Sequence, residues 1–394
     1  MTLIKPFAYW EQRDSAVIPP AAQSLYLAGY NFYKFKGTRL GQAVQGGVAK
    51  ISLDGTLDTT WTTNANPTNS NQVRFFVPLN GNIYADYRIP NSSTRAVRKL
   101  DSTGTSVASV PTTGGSIWNM HAREGSNFFI ITGDNTLTYN GTSVRGIGKI
   151  NEDLTRDTTW TTNVSTGPNG FVEKPFVSAD RVGVTGQFTS WNSNTAYSRF
   201  VVLNYDGTVD TSFAKTGTFN GTRTYTCIYI DGKWIVGGDF TTYGGGTYNR
   251  IIAFNPDGSL NTTFNTNIGS GFAGGSIYGF LKISETQILV TGNFSSLNGV
   301  TMNRAAIINV DGTIPTNVFG TGFNGWNMGY ADVDTSGNLY FAGAAQFTTY
   351  NTTNATNNII SLLPNGNVNN TFATGSGMQT SSTTTSEAGG LFIR

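Results

Sequence analysis

From Ser24 onward the apolar residues come in short blocks that alternate with small or polar ones, and Gly, Asn, Asp and Thr separate the blocks. Such alternation predicts short β-strands, and no stretch carries the periodicity of a long helix. Between residues 277 and 319 it predicts strands over 277–283, 287–294 and 304–310, with a short fourth over 312–319. This layout repeats. Ile51-Ser-Leu-Asp-Gly-Thr-Leu-Asp-Thr-Thr-Trp61 returns as variants ending at Trp160, Phe213, Phe264, Phe319 and Phe372, and a degenerate copy runs from Leu100 to Val107. Aligned on the residue before the turn glycine, the marks fall at 54, 103, 153, 206, 257, 311 and 365. A second signature precedes each mark by about 20 residues, as in Ile235-Val-Gly-Gly-Asp-Phe240 and Leu289-Val-Thr-Gly-Asn-Phe294.

A period near 50 residues with four short strands per period predicts an all-β chain: a seven-bladed β-propeller of four-stranded antiparallel blades. The Asp-Gly pairs supply the positive φ of a tight turn between third and fourth strands. Gly186, Gly238 and Gly292 interrupt second strands, which implies that another backbone packs closely there. Trp61, Trp160, Phe213, Phe264, Phe319 and Phe372, with Phe188, Phe240, Phe294 and Phe347, are expected between neighbouring blades. The domain reading is a lead or anchoring segment over 1–23 and the propeller over 24–394. The first blade lacks a preceding strand, while the chain runs on past Asn365. The tail ending Leu391-Phe-Ile-Arg394 is therefore expected beside residues 24–32, so that paired N- and C-terminal segments close the ring.

The Asp-Gly-x-hydrophobic-Asp-x-x-Phe/Trp turn and the hydrophobic-Thr/Gly-Gly-x-Phe strand end resemble the delta-60 repeat family of β-propeller-like domains. The motif is closest between Val182 and Phe372, and it degrades at Asp86, Thr103 and Leu154. Such repeats occur in bacterial surface proteins and in bacteriophage structural proteins, so the resemblance implies architecture and recognition instead of a reaction. The opening Pro6-Phe-Ala-Tyr-Trp10 also resembles the start of phage virion proteins.

Composition narrows the chemistry. The 394 residues carry 25 Lys+Arg against 23 Asp+Glu, one His and one Cys, and only 12% of them are charged. A net charge of +2 gives no field that would draw the chain onto nucleic acid or an anionic membrane. No window is long and apolar enough for a spanning helix, and no secretory signal opens the chain, so membrane insertion is not expected. Cys227 and His121 cannot by themselves supply a zinc site, and His121 has no nucleophile elbow around it. Asp54 with Asp58, and Asp206 with Asp210, read as turn caps in preference to calcium ligands. The six glutamates and the turn aspartates give no clear acid/base pair. No catalytic residue, metal or cofactor is expected. Arg199, Arg250 and Arg304 lie seven residues before their marks, and Arg95 and Arg145 eight before theirs, as a ring holding blade to blade or meeting acidic glycans.

Binding residues are sought where the repeat explains least. Tyr30, Phe32 and Tyr33 cluster in one loop, and Trp191, Tyr197, Tyr243 and Tyr248 follow second strands; aromatics among amides and hydroxyls suit sugars or protein interfaces. Phe7, Tyr9 and Trp10 are expected to anchor the ring. The functional expectation is a non-enzymatic bacteriophage virion protein on tail or capsid, located in the extracellular particle and assembled in the host cytoplasm. It would be present in multiple copies of a symmetric assembly and bind host-surface polysaccharide or other virion proteins. The alternatives are a bacterial cell-surface or exported adhesion module and a carbohydrate-active propeller enzyme.

Overall fold

The computed structural model describes residues 23–30, 32, 34–40, 46–66, 71–88, 94–325, 327–344, 348–351, 353–354, 358–373, 375, 377–379 and 387–394. The chain is all-β, built from many antiparallel sheets. It divides into two compact units, Asp14–Pro111 with Val318–Arg394, and Thr112–Asn317.

In the second unit strands pair in threes, in the order they follow along the chain. The sets are Ile117–His121, Phe128–Gly133 and Ile147–Asn151; Val172–Val177, Arg181–Gly186 and Phe200–Asn204; Thr224–Ile230, Lys233–Gly238 and Ile251–Phe254; and Ile277–Lys282, Gln287–Gly292 and Ala305–Asn309. In the first unit Asn71–Leu79, Asn82–Arg88 and Arg95–Leu100 pair likewise, as do Asn327–Val333, Leu339–Ala344 and Ile359–Leu362. The remaining set draws on both ends of the chain. Glu387–Ile393 pairs with Ser24–Tyr30, which pairs with Gly46–Ser52, so Leu25 stands between Ile393 and Ile51. The pairing expected for the tail is present. It is reinforced by Phe392 stacked on Tyr26 at 4.7 Å and by the Ile393 N–H donating to Asp332 Oδ2 at 2.7 Å.

The fourth strand expected over 312–319 is not formed. After five marks the chain makes an isolated bridge, such as Ile51 to Leu57, Ile150 to Arg156 and Leu203 to Val209, whereas the degenerate copy continues into a strand, Ser106–Thr113, beside Arg95–Leu100. Short helices follow at three marks: α1 (Thr59–Ala65), α2 (Thr158–Val164) and α3 (Thr262–Asn267). Side-chain capping decides this outcome. Asp58, Asp157 and Asn261 accept the N–H of Trp61, Trp160 and Phe264 at 2.8–2.9 Å, which satisfies an orphan donor and turns the backbone into a helix. The first residue of the motif is used as fully. Asp206 Oδ1 accepts from the Thr208 N–H and hydroxyl, and Asp257 and Asp311 do the same with Ser259 and Thr313. In the degenerate copy Asp101 takes over, accepting from Thr103 and Thr105.

The mark aromatics are core residues: Trp61, Trp160, Phe213, Phe264, Phe319 and Phe372 are all buried. Trp160 lies in one core cluster with Phe128, Val164, Val182 and Leu203, a cluster that joins two consecutive repeats of the second unit. The turn glycine of the following repeat packs on the mark aromatic, Gly207 on Trp160 and Gly312 on Phe264. Gly312 has φ +88°, and a Cβ there would stand 2.4 Å from Phe264 O. The second-strand glycines meet the close backbone expected of them. A Cβ at Gly238 would meet Arg223 O at 2.5 Å, so the close backbone belongs to the preceding strand of its own set, where the register shifts. Phe188, Phe240 and Phe294 are fully buried; Phe347 lies outside the described residues.

Candidate functional site

Three of the aromatic residues singled out for binding, Phe32, Trp191 and Tyr243, are placed in the interior. Phe32 and Trp191 have no exposed surface, and Tyr243 is 3% exposed. Trp191 packs edge-on to Phe188 at 5.6 Å, and the Tyr243 hydroxyl accepts the Gly217 N–H at 2.9 Å. These three rings fill gaps beneath the loops, where burying large apolar area outweighs presenting it. Tyr197 and Tyr248 are half-buried against the cores of neighbouring repeats. Trp191 and Tyr197 belong to one repeat and Tyr243 and Tyr248, whose ring centroids are 6.4 Å apart, to the next. Tyr30 lies in the strand Ser24–Tyr30 opposite Glu387, with its side chain outside the described residues. Tyr33, Phe7, Tyr9 and Trp10 lie outside them as well.

The arginine ring resolves into two kinds of residue. Arg199 donates from Nη1 to Gln187 O and Thr222 O, and Arg250 donates from Nε to Gly275 O and from Nη1 to Asp239 O, at 2.6–3.1 Å. Each thereby ties its own repeat to the start of the next. The carbonyls of Arg199, Arg250 and Arg304 accept the N–H of Gly186, Gly238 and Gly292. In the third repeat Gly146 holds that place, its carbonyl accepting the Gly133 N–H at 2.9 Å. Arg145 is therefore one residue out of the ring. Arg95 is too, and it forms a buried pair with Asp86 at 2.6 Å.

Ionisable groups on the first strands of the second unit form a second cluster. Lys174 is 4% exposed and donates from Nζ to Tyr278 O at 2.5 Å, across one intervening repeat. Burial pushes its ammonium down to about 7, against smaller opposing effects of Glu173 and Cys227. Arg223 pairs with Glu173 at 2.8 Å, and its backbone N–H donates to Asp239 Oδ1. Burial raises the Cys227 thiol, which keeps it protonated and unreactive. The Val177 N–H donates to His121 Nδ1 at 3.3 Å, which puts the ring proton on Nε2. These groups hold strands to one another.

A polar groove of about 500 Å³ opens beside α2, lined by Thr142, Ser143, Arg145, Arg156, Thr158 and Ser165, with Thr161 and Thr162 on the helix. The hydroxyls of Thr161 and Thr162 donate to the Asp157 and Thr158 carbonyls and seat the helix wall. Asp157 is engaged by Lys149 at 3.2 Å and by the Trp160 N–H. Among the described residues the Arg145 and Arg156 guanidinium groups make no hydrogen bond or ion pair. Arg156 sits three residues after its mark, where Leu57, Val209, Leu260, Ile314 and Val368 stand in other copies. The sequence carried this signal, since one guanidinium among five aliphatic counterparts departs from the repeat. The shared positions of the repeat mask it, because they dominate the pattern. No group of three or more metal-ligating side chains occurs among the described residues.

Comparison with known proteins bears on the setting. A family model described as a domain of unknown function (DUF5122) beta-propeller matches residues 231–264. No curated protein matches. Solved structures include a protein of unknown function from Bacteroides caccae, at 11% identity and a TM-score of 0.30, covering 61% of this chain and 92% of that one. Apo AztD from Citrobacter koseri matches at 11% identity and a TM-score of 0.40, over 94% and 98%. The extracellular domain of a hybrid two-component system from B. thetaiotaomicron matches at 10% identity and a TM-score of 0.38, over 85% and 38%. Two expectations are corrected. The chain-wide family resemblance reduces to a match within one repeat. The bacteriophage reading is corrected as well, with its tail or capsid place, virion partners and symmetric multi-copy assembly: the matches found are to bacterial proteins. No helix among the described residues is long and apolar enough to cross a membrane.

Proposed function

We propose that residues 24–394 form a closed seven-bladed propeller that serves as a bacterial cell-surface or exported adhesion module, binding its partner without chemical turnover. The contact between Gly55 and the Ala373 backbone supports ring closure, since it copies, between the last and first marks, the packing of Gly312 on Phe264. One observation carries the binding reading. The repeat commits its arginines and aspartates to backbone carbonyls and N–H groups, whereas the groove beside α2 holds two guanidinium groups that the fold does not use. A polar, weakly charged surface rich in Asn, Thr and Ser suits a protein that meets a hydrated cell surface.

The test is binding of fluorescently labelled protein to intact bacteria and to their purified surface polysaccharide, with the polysaccharide's size distribution followed over hours. Saturable binding with unchanged polymer length is expected. Absence of binding, or progressive shortening of the polymer, would overturn the proposal.

A further inference from the structure

The geometry points to an acidic polysaccharide as the occupant of the groove beside α2, with its carboxylate or sulfate groups held by Arg145 and Arg156; this rests on the adhesion reading above. Both arginines arise from departures within one repeat. Arg156 replaces the aliphatic residue found after five other marks, and the Arg-Gly pair at 145–146 puts glycine where three repeats have their interblade arginine. The bridge from Ile150 to Arg156 matches those of its counterparts, so the substitution changes the side chain and keeps the backbone. A guanidinium presents a rigid fork of donors that fits a planar carboxylate or a sulfate face.

The lining decides among anionic ligands. Besides the arginines it consists of Thr and Ser. Single-stranded nucleic acid would call for aromatic stacking platforms, and a protein partner for a desolvated apolar or aromatic anchor. Hydroxyls flanking two cations match a hydroxylated polymer with spaced acidic groups. The volume of about 500 Å³ suits one or two sugar residues, with the chain continuing at the open ends.

The test measures binding of the full chain to polygalacturonate, dextran sulfate and uncharged dextran at low and moderate salt. Three variants are included: Arg156→Leu, which restores the residue type of the sister repeats, Arg145→Asn, which suits the positive φ there, and the double substitution. The acidic polymers are expected to bind and dextran not. Each single change should weaken binding roughly ten- to hundredfold, the loss of a charge-assisted contact, with unchanged melting temperature. Preference for polygalacturonate or for dextran sulfate identifies the acidic group. Acidic-polymer binding that is indifferent to both substitutions would overturn the groove assignment. Equal binding of dextran would overturn the acidic ligand while leaving an adhesion module, and failure to bind these polymers or intact cells would overturn both readings.

Discussion

Replacing Lys174 by Met should change how stability depends on pH, and even the sign of the mutational effect. The Lys174 ammonium is buried and its folded-state pKa is pushed from 10.5 to about 7. Between those values the unfolded chain binds a proton that the folded chain does not, so wild-type stability rises with pH across this window. At about 1.4 kcal/mol per pKa unit, the shift corresponds to roughly 5 kcal/mol between full protonation and full neutralisation of the buried amine. Methionine removes this dependence but leaves Tyr278 O without its donor, a cost of about 1–3 kcal/mol. The variant is therefore expected to be the more stable protein near pH 6.5 and the less stable one near pH 10. Guanidinium unfolding midpoints of both proteins, measured at half-unit intervals from pH 6.5 to 10, provide the assay. Parallel profiles would refute the reasoning, because they would mean that the folded protein keeps Lys174 at its ordinary pKa.

Deleting residues 387–394 should lower the melting temperature sharply, since it removes the strand beside Ser24–Tyr30 and the donor to Asp332; an unaltered melting curve would count against the pairing. Trp191→Ala should destabilise by about 3–5 kcal/mol as a core truncation, whereas Tyr248→Ala, at a half-buried ring, should cost far less; chemical denaturation distinguishes the two. Hydroxyl and N–H donors hold the Asp54, Asp101, Asp206, Asp257 and Asp311 carboxyls below their usual range. Their stabilisation is complete above the unfolded value near 3.8 and lost as pH falls through the lower folded values. Asp206→Asn should accordingly make the acid unfolding curve shallower, as read by circular dichroism.

Periodicity made the strands legible because alternation and Asp-Gly turns are local signals. The strands Ile277–Lys282, Gln287–Gly292 and Ala305–Asn309 fall within the ranges that alternation predicts. The fourth strand was misread at the same marks, where Asp58 and Asp157 capture a backbone donor and override the β-propensity of the threonines that follow. Of the aromatic candidates, Phe32, Trp191 and Tyr243 are buried for a long-range reason. Trp191 sits in a loop by sequence, and only packing against Phe188 puts it in the core. Lys174 gave no sequence signal at all, since its burial depends on a strand about a hundred residues away.

The first unit is assembled from residues 14–111 and 318–394, while the second is the uninterrupted stretch 112–317. During synthesis the second unit can therefore complete its sheets as it leaves the ribosome. The strand Ser24–Tyr30 must wait, with one edge unpaired, until Glu387–Ile393 has been made. That waiting period exposes a strand edge able to capture another nascent chain. A slow step in making this protein is thus the meeting of Ser24–Tyr30 with Glu387–Ile393, two strands far apart in sequence.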